Sequence, residues 1–108
     1  MPNRATDEQE TYLVEHYRPG FTVGELREWA GRVRATAAQM SSEGKAVRYV
    51  RAAIVPSDET LLCLLEAATE ELVRETYARA GIPFERLSAV IPEGTNGWAD
   101  HATSEEKR

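Results

Sequence analysis

Glu15, Arg51 and Glu66 each interrupt an apolar, strand-like run. A carboxylate held against an apolar surface can serve as a general base, and a guanidinium beside it can hold an anion. Glu15 and Arg51 are expected on strands two spacings apart, roughly 10 Å, a gap that an arginine side chain can bridge. The same pair serves equally as an ion pair that sets sheet register or subunit geometry. Glu66 ends its strand, where it is either a base or ligand at the mouth of a cavity or a solvated charge. Cys63 lies inside the apolar run TLLCLLEA with no neighbouring base, which suits a small buried hydrophobe better than a nucleophile. Tyr17 and Tyr49, with Cys63, are the candidates to line a ligand space between sheets, or else to fill an interface. His16 is the one histidine placed in regular structure. With a carboxylate nearby it would suit a borderline divalent ion such as Ni²⁺ or Zn²⁺, and otherwise it packs as a hydrogen-bonded core residue.

The elements that must position these residues have clear punctuation. Residues 11–18 read as a first strand, with Tyr12, Val14 and His16 on one face and Leu13, Glu15 and Tyr17 on the other. Pro19-Gly20 ends it. Thr22 and Glu25 have capping-box spacing at the start of a helix. Val23, Leu26, Ala30, Val33, Ala37 and Met40 form its apolar stripe, and Gly44 suits the left-handed turn that ends it. Gly31, inside this helix, suggests close approach to a neighbour. Residues 46–55 read as a second strand, with Tyr49, Arg51 and Ala53 on one face and Val50, Ala52 and Ile54 on the other. Pro56–Glu59 is turn chemistry leading into the third strand, Thr60–Ala67. Thr69 caps a second helix whose core face includes Leu72, Val73, Thr76 and Ala80, and Gly81 and Pro83 stop it. Residues 84–91 make a fourth strand.

This β-α-β-β-α-β order is the ferredoxin-like split pattern: a four-stranded antiparallel sheet with two helices on one face. The first and third strands are central. The third strand hardly alternates, so it reads as covered on both sides. Two helices cover one side. A second copy of the chain is the natural cover for the other, giving a dimeric α+β barrel.

A single domain over 11–92 fits the length of 108 residues, between a flexible 1–10 and a polar tail over 93–108 in which Trp98 is available to dock. A net charge of −5 with interspersed signs argues against nucleic acid or an anionic membrane as partner. No apolar stretch approaches the roughly 20 residues that cross a bilayer. The polar N-terminus lacks a signal region, so a cytoplasmic location is expected. One cysteine excludes an intrachain disulfide and a multi-cysteine metal site. Asp58-Glu59, Glu93 and Asp100-His101 are further oxygen and imidazole donors in turn and tail.

Three segments carry a family likeness: YLVEHYRPG (12–20), VRYVRAAIVPSDETLLCLLEA (47–67) and ELVRETYARAGIPFERLSAV (71–90). They resemble the small actinobacterial nickel-binding proteins with a dimeric ferredoxin-like fold. PxDET before an apolar strand, and RAGIPFER, are the more specific parts. The resemblance implies a homodimer with its sheets face to face, and nickel or another divalent metal as ligand. His16 is the only imidazole of the folded part that such a site could use. The alternative is a small cofactor-independent enzyme or ligand-binding protein of the dimeric α+β-barrel type, an oxygenase, cyclase or isomerase. It would act on a small organic molecule between the sheets, with Glu15 or Glu66 as base and Arg51 as anion holder.

Overall fold

The computed structural model describes residues 9–93. Strand β1 (Glu10–Tyr17) leads into helix α1 (Val23–Ser42), then β2 (Val47–Val55) and β3 (Thr60–Ala67). Helix α2 (Glu70–Ala80) and strand β4 (Arg86–Val90) complete the order. The sheet is antiparallel and ordered β2-β3-β1-β4, so the first and third strands are central, as the split pattern requires. A single 3₁₀ turn, Pro56–Asp58, joins β2 to β3.

The helix ends follow from local chemistry. The Thr22 side-chain oxygen accepts from the Glu25 amide at 3.1 Å, and the Glu25 carboxylate accepts from the Thr22 amide at 2.8 Å. Two amide donors that α1 leaves unpaired are thereby satisfied. Gly44 follows α1 with φ +90°, a conformation that side-chain-bearing residues rarely adopt. Gly31 departs from expectation. Nothing lies within 4 Å of the position a Cβ would take there, so it marks no close approach.

The core lies between the sheet and the helices. Leu26, Val33, Ala37 and Met40 of α1 and Val73, Thr76 and Tyr77 of α2 are buried there. They meet Tyr12, Val14 and His16 of β1 and Leu61, Cys63, Leu65 and Ala67 of β3. The alternation expected for β1 holds.

Strand β2 corrects the expected face assignment. A bulge at Val50 shifts its register, so Tyr49 opposes Leu65 while Arg51 opposes Leu64. One extra residue reverses side-chain parity. Tyr49 therefore packs against the helix-side core together with Ala52 and Ile54, and Arg51 turns to the helix-free side with Ala53. The expectation that Tyr49 and Arg51 share a face assumed an unbroken strand.

On the helix-free side, Leu13, Leu62 and Leu64 sit side by side on the two central strands. Leu64 is only 4% exposed, although neither helix lies over it. Among the described residues, no helix is long and apolar enough to cross a membrane.

Candidate functional site

The bulge borders an apolar hollow on the helix-free face. Arg51 comes out on that face beside Ala53, whose side chain is too small to fill the space next to it. Leu13 of β1 and Leu62 and Leu64 of β3 supply the remaining wall. Together with Ala52 they line a half-open well of about 410 Å³. A second, shallower hollow of about 250 Å³ shares Leu13 and Leu64 and continues over Val90, Ile91, Pro92 and Glu93. Ile91 is 84% exposed at its rim. Among the described residues lining the well, Arg51 is the only charged one, and no carboxylate, imidazole or thiol is present.

The expected Glu15–Arg51 pair is not formed. Glu15 lies opposite Arg86 of β4 in the register and meets its guanidinium at 3.7 Å. Arg51 is a strand further away on the other side, opposite Leu64, and has an interaction of its own. An adjacent-strand partner is simply nearer than one two strands away. The signal that could have found Arg86 is the pairing of β4 with β1, once its register is counted. Glu66 does reach the helix-free face at the strand end, where Arg48, its register partner on β2, donates to it at 2.7 Å. Neither carboxylate lines the well.

Tyr17 ends β1 on the helix-free side and is 51% exposed. Tyr49 is turned away from that side by the bulge, and its half-buried phenol is held protonated to higher pH by burial. Cys63 cannot reach an inter-sheet space either. It faces the helices, fully buried, and burial pushes its thiol up to about 11.

His16 is placed in the core. It is fully buried, and its Nδ1–H donates to the Pro83 carbonyl oxygen at 3.0 Å. Its ring lies 5.2 Å from the Tyr77 ring and 6.0 Å, edge on, from Trp29. Nε2 is buried and has no hydrogen-bond partner. Burial chiefly pulls its pKa down, and Arg18 acts in the same direction, against the Pro83 bond and Glu85. Tyr77, the largest fully buried side chain among the described residues, was missed among the aromatic candidates, although its place four residues after Val73 puts it on the core stripe.

With this geometry in view, the chain can be set beside known proteins. The family model for nickel responsive proteins, SCO4226-like, matches residues 12–90. The chain belongs to this family. No curated protein matches it. The crystal structure of SCO4226 from Streptomyces coelicolor A3(2) is similar in fold at 20% identity. Its TM-score is 0.61, and the match covers 78% of this chain and 99% of that one.

The SCO4226-like family description raises nickel, and the described residues of one chain do not fit it. They hold no group of three or more His, Cys, Asp or Glu side chains placed to share an ion. His16 spends one ring nitrogen on Pro83 and points the other among aromatic rings, and Cys63 is buried as a protonated thiol. Nickel needs several donors converging from an accessible side. Asp100 and His101, the tail donors noted in the sequence, lie outside the described residues, as does Trp98.

Proposed function

We propose that this protein is a nickel-responsive homodimer, closed by packing the helix-free faces of two sheets against each other. The supporting observation is the apolar patch of Leu13, Leu62 and Leu64, which lies on the two central strands where neither helix covers it. Leu13 and Leu62, partly exposed beside the buried Leu64, form an apolar surface that favours a partner, and a twin subunit presents the same surface in return. Around it, Glu15, Glu66, Arg48 and Arg86 give the face both signs of charge, so two copies related by a two-fold axis can complement one another.

Nickel enters this reading from the family description alone. Because one chain's described residues do not provide a site, no ligand set is assigned.

Light scattering at micromolar concentration tests the dimer, with Leu62→Asp as the variant and circular dichroism to confirm that it folds. Wild type should scatter as a dimer and Leu62→Asp as a monomer. A wild-type monomer overturns the assembly. Calorimetric titration of the full chain with Ni²⁺ tests the second half. A saturable heat is expected, and none up to millimolar nickel removes the metal from the proposal.

A further inference from the structure

We propose that the well lined by Arg51 binds a small organic anion with an aliphatic or aromatic body, of the carboxylate class. Three observations converge on it. The first is size: about 410 Å³ falls within the range of roughly 300–1,000 Å³ typical of small-molecule sites. The second is chemistry. The wall is formed by Leu13, Leu62, Leu64 and two alanines, with one guanidinium among them. An apolar wall carrying a single cationic fork suits a ligand with an apolar body and one planar anionic head. The fork has five N–H donors in a rigid plane that matches a carboxylate in a bidentate way. Arg51 also makes an interaction within the fold, which a bound carboxylate would share or displace.

The third observation is how the well comes about. Were Val50 paired in regular register with Arg51 kept opposite Leu64, strand parity would place Tyr49 on this face as well. The bulge instead turns Tyr49 to the core while Arg51 stays on this face beside Ala53. Bulges that re-aim a side chain are common beside binding sites. No acid–base or nucleophilic group among the described lining residues accompanies Arg51, so the proposal is binding, not turnover. It rests on the dimer reading only for the cover over the well.

The test uses the full chain and octanoate as probe, with 1-octanol as the uncharged probe of the same length. Binding is followed by NMR through the methyl groups of Leu13, Leu62 and Leu64, and light scattering is recorded on the same samples. Octanoate should shift these methyls saturably. Arg51→Met should weaken octanoate by roughly tenfold to a hundredfold, the usual loss of a hydrogen-bonded charge, and leave 1-octanol unchanged. Ala53→Met, which plugs the well without altering its charge, should abolish both. Equal weakening of octanoate and 1-octanol by Arg51→Met overturns the proposal, as does octanoate binding that survives Ala53→Met. So does the absence of saturable shifts in a protein that scatters as a dimer, which would mean that the twin subunit fills the well. Octanoate binding in a protein that scatters as a monomer would sustain this site while removing the dimer.

Discussion

His16 Nδ1 lies 3.0 Å from the Pro83 carbonyl oxygen and ties the end of β1 to the turn between α2 and β4. The bond fixes the ring's tautomer: Nδ1 carries the proton, because a carbonyl can only accept. Nε2 is left as a bare acceptor in the core. The residue that most resembled a metal ligand is thus a neutral internal strut.

That placement makes stability acid-sensitive. Burial lowers the His16 pKa in the folded state below its ordinary 6.5, so between that folded value and about 6.5 the unfolded chain binds the extra proton. Stability contributed by the neutral ring is complete above about pH 6.5 and falls as pH drops below it, by at most ~1.4 kcal/mol per pH unit. Urea denaturation at pH 7.5, 6.5 and 5.5 should show the midpoint falling. In His16→Gln the wild-type slope across this window should be reduced, whatever the variant's absolute stability. An unchanged slope would show that other groups carry it.

Cys63 should be silent in the native protein. It has no exposed surface, and burial pushes its thiol up to about 11, so almost no thiolate exists at pH 8. An aromatic disulfide reagent should titrate no thiol in the folded chain over minutes and one full equivalent in concentrated urea. Rapid native reaction would mean that the core around β3 opens readily.

Gly31→Ala should stabilise the protein by about 0.5–1 kcal/mol. A Cβ at this position would meet nothing within 4 Å, and a mid-helix glycine costs that much in backbone entropy relative to alanine. Chemical denaturation of both proteins measures it. A loss of stability would place an unseen neighbour, such as a partner chain, against this side of α1.

The sequence carried the fold well because its signals were local. Thr22 with Glu25, Gly44 and Gly81 punctuate the helices, and the spacing from Leu26 to Met40 marks the face that packs. TLLCLLEA was legible as a strand with two apolar sides because it barely alternates, and β3 spans those same eight residues. The site was less legible, for a geometric reason. A bulge is a mismatch between two strands, and nothing within AVRYVRAAIV announces it. The assignment of Tyr49 therefore failed while that of Arg51 held. Pairing failed in the same way: Glu15 takes Arg86 because of β4's register, which is a property of two segments together. Reading β3 as apolar on both sides did not reveal which side Cys63 faces, although alternation from Leu61 fixes it beneath the helices.

Val50 has a consequence for how this scaffold could diverge. Losing it would leave Tyr49 opposite Leu65 and Arg51 opposite Leu64 and merely straighten the strand, whereas pairing it against β3 with Arg51 held in place would swing the aromatic ring out to the bare side. Whether that one residue is looped out or bonded into the ladder, more than the identity of its side chain, decides on which side of the layer the ring sits.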